Sequence, residues 1–362
     1  MRCSECLFHF EFTRILASFR WFRCILFVKM KIAYSVLLVA YLFVRCEMKV
    51  TQFERVADNS KGIIASLVLL TDNSDYGNKA NSNLTPVVFW HGMGDTAYGS
   101  INVERLALQS KYPGMLVYSV QIGGNALEDE LSGYFVNVNQ QIDSTCQAIL
   151  ENERIKQHGS INAIGFSQGA QFLRGLVQRC PLRQNGIRVK NLISLGGQHQ
   201  GVYGLPKCPN KYVCDYVRYL LTQGAYERQV QEHLVQAEYW HDPLDEAQYR
   251  TKNIFIADIN NERNINQTYK DNLLALENLV LVKFRDDEMV VPRDSSLFGF
   301  YEPGQKERII PLSQSRLYKE DRIGLKQLHE GGKLHLIEVA GRHLQYRMRW
   351  FMDEIAKVYL AN

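Results

Sequence analysis

The chain has 362 residues, enough for one large domain or two small ones around a substantial core. It contains 42 basic and 38 acidic residues, of which seven basic and two acidic ones lie within residues 1–46. The remaining residues therefore hold 35 basic and 36 acidic side chains, a net charge near −1. This balance argues against a nucleic-acid-binding surface on the rest of the chain.

The beginning of the chain is predicted to be a secretory signal peptide covering residues 1–46. Met30 and a lysine precede an apolar run of 13 residues, 32–44, which suits a signal peptide and is short for a membrane span. Translation from Met30 and cleavage after Cys46 fit this pattern, and residues 1–29 are then an extension of the gene model. An uncleaved signal anchor is the alternative.

Cysteine usage agrees with secretion. Four of the eight cysteines lie in the predicted leader, and the other four form an even set, as an oxidising compartment favours. These four are Cys146, Cys180, Cys208 and Cys214. Their spacing fits no zinc pattern, and buried free thiols are the alternative to disulfides.

Residues 47–84 give little structural signal. Residues 62–70 fit a strand, and the following stretch has the composition of a loop. A glycosylation sequon begins at Asn83, but Pro86 directly after it disfavours its use.

From residue 85 onward, apolar strand-like runs alternate with helical patterns. The predicted strands cover 86–90, 115–122, 161–166, 191–197, 279–284 and 334–339, and the predicted helices 103–111, 139–155 and 171–180. The alternation predicts an α/β domain over 85–362, with a doubly wound, mostly parallel sheet.

Residues of about 200–275 interrupt this alternation. They contain helical patterns at 212–221 and 229–240, and one strand-like run at 253–257. Because they separate two sheet strands and are rich in apolar and aromatic residues, they are predicted to form a helical cap over the site.

The strand at 161–166 leads into Gly165-Phe166-Ser167-Gln168-Gly169, and a helical pattern follows. A sharp strand-to-helix turn of this kind exposes a nucleophilic serine and points backbone N–H groups at developing negative charge. A Cβ at Gly165 or Gly169 would collide in so tight a turn. Ser167 is therefore predicted to be the nucleophile of an α/β-hydrolase.

The acid and the base follow Ser167 in the chain order that this fold uses. Asp287 comes after the strand at 279–284 and is preferred to Asp286 because proline follows closely in a D-x-x-V pattern. His343 follows the last strand in a glycine-bearing turn and is the predicted base. The other histidines after Ser167 lie in the predicted cap, in strand-like runs or in other segments: His199, His233, His241, His329 and His335.

Two glycines follow the buried strand at 86–90, in His91-Gly92-Met93-Gly94-Asp95. They permit close backbone approach to the oxyanion that forms at Ser167. An ordinary tight turn is the alternative from these residues alone.

Several of these runs resemble the palmitoyl-protein thioesterases. The resemblance covers about 86–351 and is strongest in Trp90–Asp95, Gly165–Arg174, Gly196–Pro206, Ala237–Pro243 and Phe298–Tyr301. It implies a lysosomal, or also secreted, hydrolase that removes palmitate from S-acylated proteins without a metal or cofactor and without a stable membrane span. It places Ser167, Asp287 and His343 on the triad positions, and Met93 and Gln168 on the backbone donors of the oxyanion hole.

By position and by this resemblance, disulfides Cys146–Cys180 and Cys208–Cys214 are predicted. Family members carry adjacent cysteines just after the residue equivalent to Asp95, whereas this chain reads Thr96-Ala97-Tyr98-Gly99. Segment 47–84 also has no counterpart in the family pattern.

Asn266-Gln267-Thr268 is a second sequon, in a polar stretch at 260–270 that predicts an exposed, glycosylated asparagine. An unused sequon is the alternative.

Three rival functions stay open at this point: a secreted lipase or carboxylesterase, a non-catalytic lipid-binding protein of the same fold, and a membrane-anchored adhesion protein. The sequence does not indicate the oligomeric state.

Overall fold

A computed structural model of the chain describes residues 68–71, 84–204, 215, 217, 219–221 and 224–361. The predicted signal peptide and most of segment 47–84 lie outside the described residues. The same holds for Cys208 and Cys214, so their predicted disulfide stays a prediction.

One sheet of seven strands organises the described chain. Its strands are β1 (Val68–Thr71), β2 (Val87–Trp90), β3 (Val117–Ile122), β4 (Ser160–Phe166), β5 (Arg188–Leu195), β6 (Asn278–Phe284) and β7 (Leu334–Val339). Their order is β1-β3-β2-β4-β5-β6-β7, and every neighbouring pair is parallel except β1 with β3. The predicted doubly wound, mostly parallel sheet is confirmed.

Helices connect these strands. They are α1 (Asn102–Lys111), α2 (Ala126–Phe135), α3 (Val138–Glu151), α4 (Glu153–His158), α5 (Gln168–Arg179), α6 (Arg228–His233), α7 (Val235–Glu238), α8 (Glu246–Lys252), α9 (Ile256–Ile259), α10 (Gln267–Leu274), α11 (Arg316–Lys319), α12 (Leu325–Glu330) and α13 (Met348–Trp350), which continues as a π-helix over Phe351–Leu360. Three short 3₁₀ turns lie at Arg183–Asn185, Arg293–Leu297 and Leu312–Gln314, and a two-stranded hairpin joins Phe300–Tyr301 to Ile309–Ile310. In the described ranges, no helix is both long and apolar enough to cross a lipid bilayer.

The central strand β2 is buried on both faces, which explains why it is apolar throughout rather than alternating. In β2, Val88 and Trp90 belong to one core, and Val87 and Phe89 belong to the other. Successive side chains of a strand point to opposite faces, so each core takes every second residue. The two cores fix the sheet rigidly and, with it, the loops at its carboxyl ends.

The segment between β5 and β6 contains α6 to α10, and we call residues 200–275 the insertion. The strand predicted at 253–257 is wrong, because α9 begins at Ile256. The side chain of Asn253 accepts hydrogen bonds from the N–H groups of Phe255 (3.1 Å) and Ala257 (3.0 Å). An asparagine bonded to its own downstream backbone favours a turn over an extended strand.

The disulfide predicted between Cys146 and Cys180 is present, with 5.7 Å between the two Cα atoms. It joins α3, which precedes the strand into Ser167, to the residue that ends α5 after it. The helix that begins at the serine turn is therefore covalently tied to its neighbour.

Candidate active site

The turn after β4 holds Ser167 in a conformation that few side chains adopt. Its backbone has φ +53° and ψ −121°, and α5 begins at the next residue. A Cβ at Gly165 would lie 2.2 Å from Ala170 Cα, and one at Gly169 would lie 2.3 Å from the carbonyl oxygen of Trp90. Both glycines are therefore required by close backbone contacts, as the sequence predicts. Strain of this kind at a buried serine is typical of a nucleophile turn.

Ser167 is the first member of a hydrogen-bonded line of three side chains. Its Oγ lies 2.8 Å from His343 Nε2, and His343 Nδ1 lies 2.6 Å from Asp287 Oδ2. Because Asp287 accepts from Nδ1, the other ring nitrogen is free to accept the serine proton. Gly196 makes room for this ring, since a Cβ there would lie 3.0 Å from His343 Cε1. The structure thus brings together the three side chains that the sequence predicts.

The carboxylate of Asp287 is held in place from behind. Its Oδ1 accepts hydrogen bonds from the N–H groups of Met289 (2.8 Å) and Val290 (3.0 Å), and its side chain is fully buried. Its neighbour Asp286 is exposed, and its backbone N–H donates to Gly341. The two acids therefore differ in burial and in partner, and only Asp287 faces the imidazole.

The two predicted oxyanion residues lie in segments that adjoin the serine. Gln168 is the first residue of α5, so its N–H is at the helix N-terminus. The loop after β2 packs directly on the serine, since a Cβ at Gly92 would lie 3.1 Å from Ser167 Cβ. Met93 follows Gly92 in this loop. The predicted oxyanion residues therefore lie in two segments that adjoin Ser167, one after β2 and one after β4.

A further side chain that contacts Ser167, Gln198, is not predicted from the sequence. Its Nε2 donates to Ser167 Oγ at 3.1 Å, and its Oε1 accepts from Gln171 Nε2, also at 3.1 Å. Gln198 is buried and lies just after the glycines that end β5. No motif singles out a glutamine in a loop, but its place beside Gly196-Gly197, at the carboxyl end of a sheet strand, is a signal that could have found it.

The remaining buried histidines bond to partners outside this line of three side chains. His91 bonds Asp129 Oδ1 at 3.0 Å. His199 Nε2 lies 2.7 Å from Ser194 Oγ, and burial, followed by the charge of Arg174, holds the pKa of His199 well below its ordinary value. His241 is sandwiched between aromatic rings and bonds Glu246 at 2.7 Å.

Other predicted positions lie away from this cluster. Asn266 is exposed, and its side chain caps α10 by accepting from the N–H of Tyr269 at 3.4 Å. Among the described residues, no group of three or more His, Cys, Asp or Glu side chains is arranged to hold a metal ion.

Comparisons with known proteins identify the family of the chain. The palmitoyl protein thioesterase family matches residues 86–343. The chain is 49% identical over 278 residues to palmitoyl-protein thioesterase 1 of Caenorhabditis elegans, covering 76% of this chain and 91% of that protein. It is 32% identical over 278 residues to palmitoyl-protein thioesterase 3 of Dictyostelium discoideum, covering 76% of this chain and 90% of that protein. It is 27% identical over 268 residues to the human lysosomal thioesterase PPT2, covering 71% of this chain and 80% of that protein. The matched region contains Ser167, Asp287 and His343.

Proposed function

The chain belongs to the palmitoyl protein thioesterase family and is a thioesterase, and we propose that it removes long-chain acyl groups, chiefly palmitate, from protein cysteines through an acyl-serine. Ser167 is the nucleophile, His343 the base and Asp287 the group that orients it. The observation that carries this proposal is the pair of hydrogen bonds of 2.8 Å and 2.6 Å that joins the three. A serine hydroxyl is a weak nucleophile until an adjacent base, itself oriented, takes its proton.

Acylation begins when Ser167 Oγ attacks the thioester carbonyl and its proton moves to His343 Nε2. The negative charge on the carbonyl oxygen is stabilised by the backbone N–H groups of Met93 and Gln168. A single donor of this kind is worth about 3 kcal/mol of the barrier in other hydrolases. The carbon–sulfur bond then breaks, and His343 gives its proton to the leaving thiolate.

Deacylation reverses these roles, with water in place of the thiol. His343 takes a proton from water as it attacks the acyl-serine, and the electron pair of the breaking bond returns to Ser167 Oγ. The Gln198 amide donates to that oxygen and so supports its departure as well as the final protonation by His343. We expect Gln198→Leu to slow acyl-serine hydrolysis more than acyl-serine formation, which burst kinetics measure.

The surroundings of Met93 support an acyl chain as the group transferred. Met93 packs against an apolar cluster of the insertion that includes Val217, Leu221 and Leu234. An apolar environment beside the proposed oxyanion donor suits a substrate whose carbonyl carries a long hydrocarbon chain. The insertion then serves as a cap that shields this chain from water.

The test is hydrolysis of a palmitoyl-cysteine peptide by purified protein, beside an oxygen ester of the same acyl chain. We expect efficient thioester turnover, its loss in Ser167→Ala, and labelling of the wild type alone by a fluorophosphonate. Faster turnover of the oxygen ester would favour a lipase or carboxylesterase. Absence of both turnover and labelling would favour a non-catalytic lipid-binding protein.

We also propose that the enzyme works in the lysosome after passing through the secretory pathway. The exposed sequon at Asn266, the disulfide Cys146–Cys180 and the relatives named lysosomal thioesterases support this proposal. The glycan would be attached to Asn266 Nδ2, while the side-chain oxygen continues to cap α10. Expression in a secretory host followed by glycosidase treatment is the test. A mobility unchanged by the glycosidase and by Asn266→Gln would contradict glycosylation.

A further inference from the structure

The side chain of Gln168 has its own partners, apart from the backbone N–H that faces the oxyanion. Its Nε2 donates to the carbonyl oxygen of Gly133 at 3.0 Å, and its Oε1 accepts from the hydroxyl of Tyr239 at 3.1 Å. Gln168 is almost fully buried. The residue that carries one oxyanion donor is therefore anchored to α2 on one side and to the insertion on the other.

Gly133 also packs against Met93, the residue that carries the second oxyanion donor. A Cβ at Gly133 would lie 3.9 Å from Met93 Cα and 3.8 Å from the N of Gly94. Gly133 is in the last turn of α2, where a carbonyl has no partner within the helix. Its oxygen instead accepts from two side-chain amides, those of Gln168 and Gln236.

Gln236 connects all of these groups. Its Nε2 lies 3.2 Å from Met93 Sδ, 3.1 Å from Gly133 O and 3.4 Å from Gln168 Oε1. All three neighbours are acceptors, so the amide can be oriented only with its nitrogen toward them. Its own oxygen is buried without a hydrogen-bond partner among the described residues, so every polar contact of this side chain runs through its nitrogen.

We propose that Gln236 and Tyr239 are positioning residues for the oxyanion hole. They hold the loop that carries the Met93 N–H and the helix that carries the Gln168 N–H in a fixed relation, through the Gly133 carbonyl and the Gln168 side chain. This inference rests on the proposed function, in which those two N–H groups stabilise the transition state. It follows that the insertion sets the rate of the chemical steps as well as the binding of the acyl chain.

The insertion also provides matched controls. Gln231 is equally buried, and its amide bonds Ala225 O, Ala237 O and the N–H of Ile254. The hydroxyl of Tyr226 accepts from the N–H of Asp242 at 2.8 Å. These side chains have the same chemistry in the same segment, but their partners are not oxyanion residues.

The experiment compares Gln236→Leu and Tyr239→Phe with Gln231→Leu and Tyr226→Phe. For each variant, kcat and KM on a palmitoyl thioester, the thermal midpoint and the inhibition constant of an acyl trifluoromethyl ketone are measured. We expect kcat to fall about 10- to 100-fold in the first pair, because a misplacement of about 1 Å at a reacting group has an effect of this size. KM should change less than about threefold, and the ketone, which forms a tetrahedral adduct with the serine, should bind weaker by the factor lost from kcat/KM.

The controls should lose thermal stability but keep kcat within about threefold. A loss confined to KM, or an equal fall of kcat in the controls, would overturn the positioning role. Failure of the proposed function would look different. The wild type itself would then hydrolyse the palmitoyl thioester no faster than Ser167→Ala does.

If Gln236→Leu does not fold, Gln236→Glu keeps the size of the side chain. Its carboxyl can donate to the surrounding acceptors only when protonated, so the ratio of variant to wild-type kcat should fall as the pH rises. A ratio that does not vary with pH would overturn the proposal.

Discussion

Replacing Gly169 by alanine tests whether the serine turn must lie as close as it does to the loop that contains Met93. The new methyl group would lie 2.3 Å from Trp90 O and 2.4 Å from His91 O. Both atoms belong to the backbone at the end of β2, which the sheet holds in place, so they cannot rotate away as a side chain would. The start of α5 must instead move away from the loop that contains Met93.

The size of this movement follows from the overlap. Carbon and oxygen atoms in contact lie about 3.3 Å apart, so the two segments must separate by about 1 Å. A displacement of that size at a reacting group lowers the rate about 100-fold. Overpacking of this kind destabilises a fold by about 1–3 kcal/mol. A gain of about 1 kcal/mol from replacing glycine within a helix partly offsets this loss.

Gly175→Ala is the matched control, because Gly175 is in the same helix. There the methyl group would meet Ile142 Cδ1 at 2.8 Å and the ring of Phe255 at 3.0 Å, both of which are ends of side chains. We expect Gly175→Ala to keep kcat within about threefold, and Gly169→Ala to lose about 100-fold in palmitoyl-thioester turnover with its helical circular dichroism intact. A folded Gly169→Ala protein with normal kcat would refute the reasoning that links this contact to the oxyanion hole.

Three further predictions concern the acid of the site, the disulfide and a buried carboxyl. Asp287→Asn should lower kcat on the order of 10⁴-fold, because the imidazole is then held in the wrong tautomer, whereas Asp286→Asn should have little effect; equal losses would contradict the assignment. Replacing Cys146 and Cys180 by alanine should lower the free energy of unfolding by about 3–4 kcal/mol in denaturant titrations, and alkylation of either cysteine without reduction would contradict the bond. Burial raises the pKa of Glu238 well above its ordinary value, so the folded protein binds this proton more tightly than the unfolded chain. Its contribution to stability is therefore lost as the pH rises above the unfolded pKa, by up to about 1.4 kcal/mol per pH unit, and Glu238→Gln should flatten this slope.

Much of the fold could be predicted from the sequence, because the strongest signals are local. A strand buried on both faces is a continuous apolar run, as in Val87–Trp90 and at 279–282. The serine turn has a fixed spacing of glycines, because a Cβ at Gly165 or Gly169 would lie only 2.2–2.3 Å from neighbouring backbone atoms. The order of Ser167, Asp287 and His343 follows from the fold, so a correct fold assignment narrows the choice of acid and base.

The parts that could not be predicted depend on contacts between distant segments. Gln236 is one glutamine among several in a helical pattern, and only the folded chain brings it to 3.2 Å from Met93 Sδ, 143 residues earlier. Gln198 reaches Ser167 across 31 residues in the same way. The strand predicted at 253–257 fails for the opposite reason, because apolar residues are equally compatible with a short buried helix when periodicity is too brief to decide.

The direction of the buried carboxyl pKa values connects the fold to the proposed lysosomal setting without using the sequon. Burial raises the pKa of Glu104, Glu238 and Glu262 above their ordinary values. Each of these groups therefore contributes stability that is complete in acid and declines as the pH rises above the pKa of the unfolded chain. Asp321 acts in the opposite direction, because Lys270 and other partners outweigh burial and hold its pKa below the ordinary value, so its contribution declines as the pH falls. The carboxyl of Glu238 is wholly enclosed, whereas that of Asp321 is partly exposed and its ion pair is weakened by solvent. Glu238 therefore favours the folded state more in acid than at neutral pH, whereas the buried His199, whose pKa is held well below its ordinary value, acts in the opposite direction.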